Sequence, residues 1–393
     1  MPTLNRAPNE RELEKLIALF LRAETDIINE ISRLRSRGLV DYHAVAALQR
    51  VQEILRRMES GCWEYVPKMV EKMFYVRVPE ARQIEGEYGT ESPAKHRAGY
   101  ENAAALTGTQ TSVIQTLVQN LMGEITDAEM TVMTSLQNML IGRTTPDLYR
   151  RVGLEVVAGM EAKGRGFRAA VPDFAEQLRR NGLTAFVDRA GRKWSLYPYC
   201  SMAARTTSRQ AEVLAVLTAD EEQDLYQISS HHTTCALCAP YEGRVYSKSG
   251  KDPDFPPLTA AFGKIDPKGP DDLTNTWLNI HPNCLHQLLP WTPAGKTEKQ
   301  IQKIKDFSSP EKNPFDRDPR NEKQIKAYRE KEQNRARWLR DYRQWEDYRL
   351  ALGDKVPKTF ATFQKHKKAK DEKYKKWKKL YREANRETDA EGN

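Results

Sequence analysis

Three of the five cysteines and four of the seven histidines in this 393-residue chain fall within residues 231–286. The first segment reads His231-His232-Thr-Thr-Cys235-Ala-Leu-Cys238, and the second reads His281-Pro-Asn-Cys284-Leu-His286. A Cys-x2-Cys pair can place two thiolates on one metal ion through a tight turn. A second pair brought from a distant segment completes the tetrahedron that Zn2+ prefers. Cys235, Cys238, Cys284, His286, His231 and His281 are thus candidate ligands for a structural Zn2+, with Cys235 and Cys238 favoured first by spacing. Six candidates for four positions leave the assignment open. The intervening segment is punctuated by Gly243, Gly250, Pro253, Pro256, Pro257, Gly263, Pro267, Gly269 and Pro270. Such a loop is expected to bury little apolar surface, and a metal clip would hold it. Core packing of free cysteines is the competing reading. Disulfide bonding fits poorly with an odd cysteine count and an N-terminus without an apolar signal core. Cys62 and Cys200 stand alone and read as packing residues.

The elements that must position these side chains form an expected α+β domain over 182–292. Thr184–Val187 and Lys193–Leu196 alternate like strands across a turn, Asp188-Arg-Ala-Gly191. A helix from about Tyr199 to Leu217 leads to a strand at Leu225–Ser229, directly before the first Cys/His segment. Val245–Ser247 and Gln287–Leu289 read as further strands. Residues 1–181 read as a helical N-terminal region. Its first stripe is Leu13, Leu16, Ile17, Phe20, Ile27, Ile31 and Leu34, stopped at Gly38. A second helix carries Val45, Leu48, Val51, Leu55 and Met58, and a third surrounds Trp63–Tyr75. Residues 76–108, with Pro79, Gly86, Gly89, Pro93 and Gly99, read as an extended excursion. Thr126-Asp-Ala-Glu129 has the form of a capping box. Further helices are expected from Thr145-Pro146 to about Gly164 and over Pro172–Asn181. Residues 293–393 read as a basic helical arm. One stripe holds Ile325, Tyr328, Trp338, Tyr342 and Trp345. After Gly353 and Pro357, one last helix carries Phe360, Phe363, Tyr374, Trp377 and Tyr381. The fold class is mainly α with a small α+β zinc-stabilised domain.

Charge is distributed unevenly. Residues 301–393 hold 27 Lys+Arg against 17 Asp+Glu, a net of +10, so the other 300 residues, with 36 against 37, come to −1 of the total +9. A concentrated basic segment points to an acidic partner such as nucleic acid, although a solvated face is the plainer reading. The candidate contacts are Lys365, Lys367, Lys368, Lys370, Lys375, Lys376, Lys378 and Lys379. No sequence window approaches the roughly eighteen apolar residues of a membrane span, and no membrane partner is expected.

From Gly182 to Leu196, and then through Met202-Ala-Ala-Arg-Thr206, the chain resembles the phage minor capsid protein 2 family. The likeness continues in Ser229-Ser-His231, Cys235-x-x-Cys238, Tyr241-Glu-Gly-Arg-Val-Tyr-Ser247, Ser249-Gly250 and His281-Pro-Asn-Cys-Leu-His286. The Gln- and Arg-rich stretch Glu322–Arg343, followed by a Gly-Asp hinge, is similar to that family's tail. The resemblance covers roughly the second half, and the N-terminal helices match only in character. It implies a structural minor head protein of a tailed phage or prophage, made in the bacterial cytoplasm and residing in the virion. It also implies a place at or near the portal, with portal and major capsid protein as partners and a part in head assembly or DNA delivery. Family members vary at the positions of Cys235, Cys238 and His281. The ligands that carry over most dependably are His231, Cys238, Cys284 and His286.

Two other classes compete. A metal-dependent nuclease would need a catalytic metal site with an activating His beside the structural zinc. A nucleic-acid-binding protein would use the lysine-rich tail. A zinc deaminase would need His-x-Glu and Pro-Cys-x-x-Cys, and the chain has neither. It also lacks a Walker A loop, a Gly-x-Ser-x-Gly elbow and a Gly-x-Gly-x-x-Gly turn. The expectation is therefore a protein without enzymatic activity.

Overall fold

In the computed structural model, the described residues are 8–37, 41–88, 106–141, 184–187, 191, 193–231, 233–281 and 284–389. Helices dominate: α1 (Glu10–Arg37), α2 (Asp41–Tyr88), α3 (Gly108–Ile141), α4 (Leu196–Leu217), α5 (Glu298–Ser308), α6 (Glu322–Leu352), α7 (Phe360–Ala369) and α8 (Glu372–Asp389). The strands are short: β1 (Thr184–Val187), β2 (Lys193–Ser195), β3 (Leu225–Ile228), β4 (Val245–Ser247) and β5 (Leu288–Pro290). The expected helices over 145–164 and 172–181 lie outside the described residues, as do the stop at Gly38 and most of the turn between β1 and β2.

The chain forms two compact units. The first comprises Met1–Lys15, Glu64–Met122 and Met202–Gln333, and the second comprises Leu16–Trp63, Gly123–Ser201 and Asn334–Asn393. Helices α1, α2, α3, α4 and α6 each contribute residues to both.

In the second unit, Leu16, Phe20, Ile27, Ile28 and Ile31 of α1 are fully buried, as are Val51, Leu55 and Met58 of α2. They form the buried part of the two N-terminal stripes at helical spacing; Leu13 and Ile17 are half-buried, and Val45, expected in the second stripe, is exposed. Polar groups are buried with partners. The Glu24 carboxylate accepts from the Tyr197 N–H at 2.7 Å and the Tyr342 hydroxyl at 3.1 Å. Arg349 donates to Asn29 Oδ1 at 2.7 and 3.0 Å and to the Val356 carbonyl at 2.9 Å. Aromatic rings close the C-terminal side. Phe360 packs against Trp345 and Tyr342, and Tyr348 packs against Phe363 and stacks on Tyr381 at 4.4 Å. The hairpin β1–β2 also belongs to this unit, and Phe186 stacks on Tyr199 at 4.6 Å.

In the first unit, Arg77 of α2 and Glu212 of α4 are both fully buried and joined at 2.8 Å. Glu212 also accepts from Gln287, at 3.0 Å, and from Arg209. This ties two helices to the start of β5. The sheet has the order β4-β3-β5 and is wholly antiparallel. Val245, Phe255 and Trp291 form its core, with Leu225 and Ile304 packed against them.

Three expectations are corrected. The helices expected around 45–58 and 63–75 are one helix, which runs on through Pro67 and Pro79 to Tyr88 where an extended excursion was read. Each proline removes a ladder hydrogen bond, but Met69, Val70, Met73, Phe74, Val78 and Ala81 keep one buried face across both positions. Burial therefore outweighs the local signal. Thr126 is an interior residue of α3, not a cap, because Leu121, Met122, Ile125, Ala128 and Val132 carry a buried stripe past it. The last helix is two helices, separated at Lys370 in the left-handed region with φ 50°.

Glu129 gives the second unit a pH dependence. Its Oε1 is buried without a hydrogen-bond partner. Burial, with Glu59 nearby, pushes its pKa up to about 8. The folded state therefore holds a proton that the unfolded chain releases near pH 4.3, and stability falls as pH rises from there to about 8. Glu129→Gln is expected to leave stability unchanged near pH 4 and to raise it by roughly 3 kcal/mol at pH 7. Denaturant melts of the two proteins at both pH values check this.

Candidate metal centre

Strand pairing brings the two Cys/His segments together. Residue 228 of β3 pairs with 288 of β5 in antiparallel register. The ladder extends through Ser229 N–H to the Gln287 carbonyl at 2.9 Å and Gln287 N–H to Ser229 Oγ at 2.8 Å. The first segment leaves β3 and the second enters β5 at this same end. Each folds as a knuckle. Ala239 N–H bonds the Cys235 carbonyl at 3.0 Å, and a 3-10 turn over Ala239–Tyr241 follows. Cys284 N–H bonds the His281 carbonyl at 3.0 Å. Gly243, at φ 72°, then closes the loop back to β3 through its N–H to the Ile228 carbonyl at 2.9 Å.

The ligand atoms form two overlapping triads that share Cys238. One is Cys235, Cys238 and His281, and the other is Cys238, Cys284 and His286. In each, all three atoms lie within 4.8 Å of one another. Cys238 Sγ is 3.9 Å from Cys284 Sγ, Cys235 Sγ is 3.2 Å from His281 Nε2, and Cys284 Sγ is 3.3 Å from His286 Nδ1. Bond lengths of 2.3 Å to sulfur and about 2.05 Å to nitrogen put tetrahedral edges at roughly 3.8 Å for S···S and roughly 3.5 Å for S···N. Within each triad the donor types and spacing fit such an ion. Cys238, Cys284 and His286 are buried, whereas Cys235 and His281 are half-buried.

Electrostatics within the cluster favour thiolates at Cys284 and Cys235, with the proton kept on Cys238. Cys238 donates to both sulfur neighbours, and that raises its own pKa. The bond from Cys238 pulls the Cys284 thiol down to about 3, helped by His286 and opposed by burial. Cys235 falls to about 4, chiefly through Cys238 and also through His281. Burial works against charge on His286, but Cys284 and Glu242 outweigh it and raise its pKa to about 9. Thiolates next to imidazole are the soft donors that bind zinc.

His231 lies outside both triads. Its Nε2 meets Ser229 Oγ at 3.0 Å, and its ring stands edge-on to His286 at 4.6 Å. Spacing did not reveal Glu242. Its Oε1 sits 2.6 Å from His286 Nε2 and accepts the His231 N–H at 2.8 Å. A carboxylate on one imidazole nitrogen leaves the other aimed at the cluster, which is the usual outer shell of a metal-bound histidine. The available signal was that Glu242 is the only acidic residue between 225 and 251. Cys62 and Cys200 are fully buried, and burial raises both thiols, as packing residues require. The intervening loop buries more than its composition implied, since Phe255, Leu258, Ala261 and Phe262 are all inside. Its polar backbone is gathered by Asn275, which donates to the carbonyls of Asp266 and Pro270 at 2.9 Å.

The eight candidate lysines lie on α7 and α8 or at the turn between them. Lys367 pairs with Asp341 at 2.6 Å and Lys375 with Glu372 at 2.6 Å. Lys379 approaches Glu383 at 3.8 Å. Lys365, Lys368, Lys370, Lys376 and Lys378 make no ion pair among the described residues.

A helical chain with a knuckle-borne Cys/His cluster defines a class of fold, and sequence comparison supplies the family. The profile described as phage minor capsid protein 2 matches residues 7–377, and the chain belongs to that family. The match covers the N-terminal helices as well as the second half. The chain is accordingly a virion component. It is also 27% identical over 165 residues to a protein named "Structural protein" from Lactococcus phage LL-H, an alignment covering 40% of this chain and 41% of that relative. The chain thus spans about two fifths of the relative's length. No solved structure matches. None of the described helices is long and apolar enough to cross a membrane.

Gly243 combines a left-handed backbone with a close neighbour. A Cβ there would lie 2.9 Å from Ser230 Oγ, on a backbone that L-residues disfavour by roughly 1–2 kcal/mol. Gly243→Ala is expected to lower stability by about that amount, as measured by chemical denaturation followed through tryptophan fluorescence.

Proposed function

We propose that the protein is a portal-associated minor head component whose Cys/His cluster holds one structural Zn2+. On this reading it acts in head assembly and in packaging or delivery of DNA, without turnover of its own. The family match carries the head assignment, and the two triads sharing Cys238 carry the metal. Portal and major capsid protein are the partners this role requires. The basic arm, including Lys365–Lys379, would meet packaged DNA through its phosphates.

For the metal, we assign Cys235, Cys238, Cys284 and His286 as ligands, with Glu242 orienting His286. His286 is preferred to His281 because it is buried and carries the carboxylate partner. A set of four protein ligands leaves no position for an activated water, which favours a structural over a catalytic ion. When bound, the ion ties two distant knuckles into one folding unit.

Metal analysis of protein purified without chelator is expected to give about one zinc per chain. Cys238→Ser and Cys284→Ser should abolish it and lower the melting temperature, while His281→Ala should retain it. Zinc-free protein would refute the site. The head role is tested separately, by deleting the gene and weighing particle proteins by mass spectrometry. The expected outcome is few copies per particle in the wild type, with defective or empty heads in the deletion while coat protein is still made. Metal-dependent DNA cleavage by the purified protein, lost in His286→Ala, would instead establish the nuclease reading.

A further inference from the structure

The second unit contains an open cleft of about 540 Å³ that neither the Cys/His cluster nor the lysine run accounts for. It lies where α6 faces α7 and α8. Its walls include Arg337, Arg340 and Arg343 of α6, Lys367 of α7, and the rings of Tyr348 and Tyr381. We infer that this cleft seats the phosphate backbone of nucleic acid. The inference rests on the reading that the basic arm meets packaged DNA, and it moves the principal contact from the lysines to these arginines.

Three observations carry it. The first is charge. Four cations and two carboxylates, Asp341 and Asp347, line the cleft. Lys367 already neutralises Asp341 at 2.6 Å. Arg337, Arg340 and Arg343 are exposed and make no ion pair or hydrogen bond among the described residues. Three guanidinium groups left unpaired on one stretch of helix repel one another unless an anion joins them.

The second is spacing. Positions 337, 340 and 343 advance three residues at a time, just under one helical turn, and at 1.5 Å per residue they span about 9 Å. That corresponds to two or three steps of a duplex strand at 3.4 Å per nucleotide. The planar guanidinium fork matches phosphate oxygens two at a time, as a lysine ammonium cannot. Another face of α6 is occupied in packing, through Tyr342 and Trp345, so the arginines have a fixed base.

The third is the contrast with the lysines. Lys375 is held by Glu372, and Lys379 has Glu383 beside it. The charge of these two is partly answered within α8. Lys365, Lys368, Lys370, Lys376 and Lys378, without ion pairs among the described residues, differ from the arginines in not lining the cleft. Tyr381, half-buried and stacked on the buried Tyr348, gives the cleft an aromatic edge against which a sugar or unstacked base can rest. A row of acidic side chains on a protein would use the charge but not that edge.

The test uses the full-length protein and a fluorescein-labelled duplex of arbitrary sequence, with affinity followed by anisotropy from about 50 to about 200 mM salt. Arg337→Gln/Arg340→Gln/Arg343→Gln is expected to bind at least tenfold more weakly. Its dependence of log affinity on log salt should flatten by about 2–3, near 0.9 for each lost phosphate contact. Lys376→Gln/Lys378→Gln should lose less. Circular dichroism confirms that the triple variant is folded, and Arg→Lys at the same three sites should give intermediate affinity. Equal DNA affinity of wild type and triple variant overturns this inference and leaves the basic-arm reading standing. Failure of the wild type to bind DNA at the lowest salt overturns both. Competition by poly-glutamate as effective as competition by unlabelled DNA overturns the nucleic-acid assignment in favour of an acidic protein.

Discussion

The candidate centre depends on one four-residue strand. β3 pairs with β4 on one side and β5 on the other, and the Ile228↔Leu288 register sets how its far end is assembled. Antiparallel pairing means that whatever leaves β3 and whatever enters β5 emerge at the same end. The two knuckles meet there although 46 residues separate Cys238 from Cys284. A slip of one residue would turn Tyr226 and Ile228, both buried, toward the opposite face. It would also carry Cys284 away from Cys238. Register is therefore fixed by burial, and cluster geometry follows from register.

Buried polar groups locate the helices around this arrangement. Glu212 binds Arg77, Arg209 and Gln287 together, so one carboxylate addresses two helices and the residue preceding β5. Taking ions out of water is costly, and removing one partner of such a network strands the others. Networks of this kind contribute little net stability but tolerate only one arrangement. Arg349 does the same in the second unit, where one guanidinium holds Asn29 of α1 and the turn after α6. The aromatic packing of Trp345, Tyr348, Phe360 and Phe363 supplies the apolar burial beside it.

Much of this was legible in the residues. The N-terminal stripes, the strands at 184–187, 225–229 and 245–247 and the Cys/His segments were read from period and spacing, because each is a local pattern. The failures have a common cause. Pro79 and Thr126 carry strong local signals for a break and a cap, and a continuous buried stripe overrides both. Conversely, the divided last helix shows no proline or glycine at its break. Lys370 adopts φ 50°, and its N–H closes the end of α7 on the carbonyls of His366 and Lys367. Asp371 then caps α8 by accepting from the Tyr374 N–H at 3.0 Å. Glu242 was invisible for a different reason, since its partner His286 is 44 residues away.

The sheet also separates two sources of order. Its Leu225 end is apolar, with Leu225 packed against Trp291, Phe255 and Val245; Val245, which pairs with Gln227, bonds its N–H to Ser308 of α5 at 3.0 Å. Its Ile228 end has the knuckles, the Glu242–His286 pair and backbone bonds to Ser229. The knuckle tips carry Leu237 and Leu285, which are 67% and 51% exposed and add nothing to the core. Cross-linking by a metal would act at this second end, on knuckle tips that contribute no burial of their own. The cluster borders the apolar core, since Cys284 and His286 line a small cavity with Val213, Ile228, Phe262 and Leu288, and the glycine- and proline-rich loop between the knuckles is anchored by its own buried Phe255, Leu258 and Phe262.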